Sequence, residues 1–193
     1  MSPSPNLIAR PALEPGLLES GAAPDLTIRE ASELGLAVLQ ARRGQEASLG
    51  RCVREHFGTD LPAGPRRTNC GAPSFAGLAP GRWLAIEEQA GNALAQRLRG
   101  AVSSFATVVD QTDACCVLQL SGLAVRSRLA SLVPVDIHPG AFPLEGFALT
   151  RLGHCAVMLW RLPDATDGAS FVIAAPRSYA ASLWHSLTGP AHA

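Results

Sequence analysis

Five histidines (His56, His138, His154, His185 and His192) and five cysteines (Cys52, Cys70, Cys115, Cys116 and Cys155) are the side chains best able to ligate a metal, relay a proton or supply a nucleophile. Their spacing argues against all three. The cysteines lack a C-x-x-C pair, and Cys115–Cys116 and His154–Cys155 are immediate neighbours. Neighbours on a strand point to opposite faces, so neither pair can share a metal. Reduced, mostly buried thiols of a cytoplasmic protein are the better reading. His56 closes a predicted helix, where a cation suits the dipole. His185 lies off an apolar stripe and His192 lies in the tail. His138, in a connecting loop, and His154, at a tight turn, are the two candidates for function, and an interface or structural hydrogen bond suits them better than catalysis. Asp110 and Asp113 flank a polar turn, which uses them for turn hydrogen bonds. No triad, metal site or phosphate cradle emerges, so no catalytic, cofactor-binding or metal-ligating residue is assigned.

Composition removes further classes. All sixteen basic residues are Arg and none is Lys, which excludes a Walker-type phosphate loop, a Schiff-base nucleophile and a pyridoxal anchor. No G-x-G-x-x-G follows a predicted strand, and no G-x-S-x-G is present. Sixteen acidic residues balance the sixteen basic ones without long charge runs, which points away from nucleic acid and from anionic membranes. The first 23 residues lack a basic start followed by an apolar core, and no apolar run reaches the ~18 residues of a membrane span. A soluble, cytoplasmic protein is expected.

The elements follow from periodicity. Five prolines within residues 1–24 predict an extended arm, with Leu7, Ile8, Leu17 and Leu18 as docking points. Residues 25–189 are expected to form one domain. Leu26 and Ile28 mark a short strand, and Leu34, Leu36 and Val38 its neighbour. Leu49, Cys52, Val53 and Phe57 form one helical stripe ended by Gly58. Residues 68–78 and 82–87 predict a hairpin carrying Phe75 and Trp83, and Leu94, Leu98 and Val102 a second helix. Residues 105–110 and 115–121 then read as strands, with Ser121 capping a helix through Val125, Leu129 and Leu132. Strands at 147–153, 155–162 and 170–174 precede a last helix opened by Pro176, with Ala180, Leu183, Trp184 and Leu187 on one face. The order strand-strand-helix-strand-strand-helix occurs nearly twice. It predicts an α+β domain of two related halves, with helices on a mixed or antiparallel sheet.

Several segments together resemble the gamma-subunit family of heterotetrameric sarcosine oxidase. They include Leu34 to Gly44, Leu61 to Pro65, Pro80 to Ala85, Val109 to Asp113, Leu118 to Gly122, Val133 to Pro139, Thr150 to His154, Pro176 to Ala180 and Leu183 to Leu187. The set runs in order from about residue 34 to 188. The resemblance implies a fold similar to the folate-binding domain of the glycine-cleavage T-protein. It implies a complex that demethylates sarcosine oxidatively to glycine, yielding hydrogen peroxide and formaldehyde, or methylenetetrahydrofolate when tetrahydrofolate is the co-substrate. It places FAD, FMN and NAD in alpha and beta subunits and zinc in a delta subunit, leaving this chain the role of holding alpha and beta together. The T-protein group carries an Asp on the strand that serves folate. Here the strand from Cys155 to Leu162 has no carboxylate, and the next is Asp164. A stand-alone folate-dependent aminomethyltransferase-like protein is therefore the weaker alternative, beside a scaffold for another N-methyl amino acid oxidase. The low charge content (17%) and Arg-only basic set predict an obligate interface of roughly 2,000 Å² or more. Arg151, His154 and Arg177 are its candidate residues. Arg177 at a helix start opposes the dipole, so it calls for an acidic partner or a local salt bridge.

Overall fold

The computed structural model describes residues 10–13, 25–68, 72–166 and 168–189. Among these residues, nine strands lie in two antiparallel sheets. The four-stranded sheet runs β3 (Ser74–Ala79), β4 (Arg82–Glu87), β2 (Gly35–Ala41), β5 (Ala106–Asp110). The five-stranded sheet runs β1 (Thr27–Glu30), β6 (Cys115–Gly122), β9 (Gly168–Pro176), β8 (Cys155–Ala165), β7 (Phe147–Leu152). Helices α1 (Glu46–Phe57) and α2 (Ala93–Val102) cover the outer face of the smaller sheet, and α3 (Val125–Ala130) and α4 (Ala180–Thr188) that of the larger. The result is four layers, helix, sheet, sheet, helix, in two halves.

Each sheet is buried on both faces, which explains why its central strands are apolar nearly throughout rather than alternating. In β2, Ala37, Leu39 and Ala41 face α1 and α2, while Leu36 and Val38 face the other sheet. In β9, Phe171, Ile173 and Ala175 face α3 and α4, while Val172 and Ala174 turn inward. Leu84, Ile86 and Ala76 meet Val117, Phe147 and Trp160 in the same middle layer, where Phe147 and Trp160 stack with centroids 6.3 Å apart. The predicted helical stripes supply the outer layers: Leu49, Cys52 and Val53 of α1, Leu94, Leu98 and Val102 of α2, and Ala180, Leu183, Trp184 and Leu187 of α4 are all buried. Gly58 takes the left-handed conformation that ends α1. Arg128 of α3 closes the far end of α4, donating to the carbonyls of Ser186, Leu187 and Gly189.

Several local expectations need correction. β1 and β2 are not neighbours: β1 pairs with β6, and β2 with β4 and β5. Ala31 to Leu34 carry the chain from one sheet to the other, with Ala31 N–H bonded to the Val117 carbonyl. Likewise β5 and β6, separated by the Gln111–Asp113 turn, belong to different sheets. Ser121 does not cap a helix. It is paired within β6 to Thr27 and Ser170, and α3 begins at Val125 behind Ala124. Pro176 ends β9, and a 3₁₀ turn, Arg177–Tyr179, separates it from α4. Leu7, Ile8, Leu17 and Leu18 lie outside the described residues. The arm's observed anchor is Leu13, 2% exposed in the core beneath the larger sheet.

A strap ties the two sheets along one flank. Thr68 pairs with Phe75, and Arg67 bridges to Ala76 of β3. Arg66 bridges to Gly146, at the start of β7, while Arg67 N–H donates to the Glu145 carbonyl at 2.8 Å. The strap approaches β3 so closely that a Cβ on Gly77 would sit 2.0 Å from the Gly64 carbonyl oxygen. Gly77→Ala should therefore cost about 2–3 kcal/mol in urea unfolding; wild-type stability would mean that the strap yields freely.

Burial raises all four described thiols, Cys52, Cys115, Cys116 and Cys155, above their ordinary range. Cys116, desolvated and facing Glu30, is pushed up to about 12. The folded chain then keeps a proton that the unfolded chain releases near the ordinary value of 9.0. Its contribution is complete below that value and is lost as pH rises toward 12. Unfolding free energy should fall as pH rises from about 9 to about 12, and Cys116→Val should lessen the fall; an unchanged slope in the variant would refute the assignment.

Candidate functional site

Two places on the molecule concentrate polar side chains against apolar surface. The first is a cleft of about 530 Å³ opening between the two sheets, bounded by β1, β4, β6, β8, β9 and the strap. Its floor is Trp160, Val172, Ile86 and Ser74, all under 9% exposed. The strap directs Arg67 into it. Arg67 Nη2 donates to the Arg161 carbonyl at 3.2 Å, and Nη1 reaches Ser74 Oγ at 3.5 Å. Its Nε is buried and has no partner among the described residues. Desolvation pulls the guanidinium below its ordinary value, against the opposing fields of Glu88 and Glu145. Among the described residues it makes no ion pair. Arg29, at the mouth, is already engaged, donating from Nε and Nη2 to Gln119 Oε1 at 3.3 and 3.0 Å.

The second place is one end of the five-stranded sheet. Gly153, at φ +60°, and His154 form the turn between β7 and β8, with Arg151 opposite Ala156. Arg151 and His154 are exposed, and among the described residues neither side chain makes a hydrogen bond or ion pair. Two residues back along the same strand face, Leu149 is 55% exposed. β9 runs antiparallel to β8, so it ends at this same end of the sheet, followed by Arg177. Arg177 Nη2 donates to the carbonyls of Arg10 and Pro11, at 2.9 Å for the latter. Glu30 completes the clasp, its carboxylate accepting from Ala12 N–H at 2.6 Å and Leu13 N–H at 3.1 Å. Arg177 is thus met by local carbonyls of the arm. The structure brings Arg151 and His154 together on one turn and gives Arg177 separate work at the same sheet end.

The remaining candidates have structural duties. His138 Nδ1 accepts from Gly140 N–H at 3.2 Å, and Asp136 Oδ1 accepts from His138 N–H at 2.9 Å, both within one turn. His56 and His185 donate from Nδ1 to carbonyls four residues back, at 3.0 and 2.7 Å. Cys115 faces the middle layer and Cys116 the helices of the larger sheet, so the pair is split as its position on a strand requires. Cys155 opens β8 and is buried, while His154 lies outside on the turn. Cys70 lies outside the described residues. Among the described residues, no group of three or more His, Cys, Asp or Glu converges on a common point. Asp164, the first carboxylate on β8, is held by Arg161 at 3.0 Å and faces Arg126 at 3.7 Å. Arg67 and Glu30 were not singled out by sequence, because one acts from a strap with no periodicity and the other serves an arm eighteen residues away.

Known proteins share this architecture. A model of the sarcosine oxidase gamma subunit family matches residues 43–191. The sarcosine oxidase subunit gamma of an Arthrobacter species is 30% identical over 155 residues, covering 77% of this chain and 73% of that protein. Its counterpart from Corynebacterium sp. strain P-1 is 27% identical over the same shares of each chain. A chain of the heterotetrameric sarcosine oxidase from Corynebacterium sp. U-96, solved with pyrrole 2-carboxylate, superposes with a TM-score of 0.71 at 26% identity. That match covers 90% of this chain and 88% of the other. The glycine cleavage system aminomethyltransferase T of Bartonella henselae shares the fold, with a TM-score of 0.65 at 15% identity over 90% of this chain and 47% of that one. The order of segments read along the sequence, the two-halved α+β architecture and these likenesses converge: the chain belongs to the sarcosine oxidase gamma subunit family.

Proposed function

We propose that this chain is the non-catalytic gamma subunit of a cytoplasmic heterotetrameric sarcosine oxidase. It assembles and stabilises alpha and beta flavoprotein subunits alongside a delta subunit. In this reading FAD, FMN, NAD and zinc sit in those partners, tetrahydrofolate is a co-substrate of the complex, and the sarcosine demethylation that releases peroxide takes place away from this chain. The observation that carries it is the superposition along nearly the whole length of both chains on one chain of a four-subunit sarcosine oxidase. Residues 25–189 act as one folding unit, and residues 1–24 as an arm clasped to it at Leu13. No helix among the described residues is long and apolar enough to cross a membrane.

The chemistry of the surface supports the reading. The four thiols among the described residues are held protonated by desolvation, so none of these is poised as a nucleophile. At the β7–β8 end, Leu149 and Arg151 share a face of the outermost strand of the larger sheet, beside His154. Tyr179, 45% exposed, stands two residues beyond Arg177. Exposed Leu, Tyr and Arg around an open strand edge suit a partner interface rather than water. We assign Arg151, His154 and Arg177 to that interface, Arg177 acting by seating the arm.

Purified alone, the chain should be colourless and release no peroxide from sarcosine, whereas its omission from co-expression should lower the yield of active oxidase. Leu149→Asp with Arg151→Glu should weaken its association with the co-expressed subunits about tenfold or more while leaving its own melting temperature within about 2 °C. A stoichiometric flavin on the isolated chain would overturn the assignment of catalysis to the partners. Undiminished association of the double variant would remove this surface from the interface.

A further inference from the structure

The inter-sheet cleft carries an inference that does not rest on the assembly role. Arg67 is a part-buried guanidinium that makes no ion pair among the described residues: its Nε is buried and unpartnered there, and its two other nitrogens reach a carbonyl and a hydroxyl, while Glu88 and Glu145 act on it only through their fields. Leaving a buried charged donor unsatisfied is costly, and a guanidinium fork matches a carboxylate through two parallel bonds. The volume, about 530 Å³, falls within the range of small-molecule sites. The floor beside Arg67 is apolar and flat, formed by Trp160 at 1% and Val172 at 4% exposure.

We propose that this cleft binds a small organic monocarboxylate, its carboxylate held by Arg67 and its apolar body laid against Trp160 and Val172. The mouth sets the charge of the ligand. Exposed Glu33 and Glu88 line it, and Arg29 is occupied by Gln119. A phosphate, a dicarboxylate or a nucleotide would bring a second negative charge against those carboxylates, whereas a single carboxylate on a neutral or amine-bearing body would not. The side-chain carboxylate of a partner chain shares this chemistry. A free acid is the better fit, because the acceptor must enter a slot walled by both sheets and reach a floor that is almost wholly covered.

The test uses the full 193-residue chain and calorimetric titration with 3-phenylpropanoate, 3-phenylpropan-1-ol and inorganic phosphate, with tryptophan fluorescence as a second readout. The carboxylate should bind saturably, at least about tenfold more tightly than the alcohol, and phosphate should give no heat. Arg67→Gln should erase the preference for carboxylate over alcohol. Glu88→Gln changes only an exposed side chain, so it tests the site even if the Arg67 variant fails to fold; it should tighten 3-phenylpropanoate binding by relieving like-charge repulsion. Equal binding of the acid and the alcohol, or no response to Glu88→Gln, would overturn the proposal. So would an absence of binding combined with Arg67→Gln lowering the recovery of this chain with its co-expressed subunits, which would give the guanidinium to a partner's carboxylate.

Discussion

The face-to-face packing of two antiparallel sheets is the interaction on which everything else in this chain depends. Leu36, Val38, Leu84 and Ile86 from one sheet meet Val117, Phe147, Trp160 and Val172 from the other in one continuous apolar layer. Full burial of a side chain of this kind contributes about 1.5–3 kcal/mol. Because each sheet also carries helices on its outer face, neither has a side that can be surrendered to water. The chain therefore folds as two halves that need each other, joined where the β1–β2 and β5–β6 connections cross between the sheets.

Those crossings create the functional geography. The strap Arg66–Thr68 runs between β3 and the start of β7 and carries Arg67 into the gap that it helps to close. The Ala31–Leu34 crossing and the Glu30 carboxylate hold the other flank, where the arm is clasped by Glu30 and Arg177. The thiols among the described residues are held protonated by desolvation, and the described histidines bond to nearby backbone or stand alone on a turn. What the frame offers is an outer surface with an open strand edge and the part-buried guanidinium of Arg67. Both features suit a protein that works by being bound.

Sequence periodicity made the helices and hairpins legible because their signals are local. The stripe of α1 and the Ala79-Pro80-Gly81 turn between β3 and β4 declare themselves within a dozen residues. Sheet membership did not, since adjacency along the chain is a poor guide when consecutive strands part into different layers, as β1 and β2, and β5 and β6, do. Ser121 looked like a helix cap because its chemistry suits one, but pairing to Thr27 and Ser170 decided its place. Pro176 looked like a helix start, yet β9 continues through it and a 3₁₀ turn intervenes. The exposed turn at Arg151 and His154 was readable from Gly153. Arg67 was not, because its meaning comes from a bridge to Gly146 by way of its neighbour and from a floor contributed by β8 and β9. The family likeness was readable because many short segments keep one order, although each alone is weak.

That this chain works through its surface can be tested by amide hydrogen exchange, measured on it free and in the assembled oxidase. The account predicts that assembly adds protection at the β7 edge, the Gly153–His154 turn and the segment around Arg177, while the middle-layer strands β2, β4 and β9 exchange equally slowly in both states. Unchanged exchange at the β7–β8 end, with new protection confined to the core strands, would contradict it.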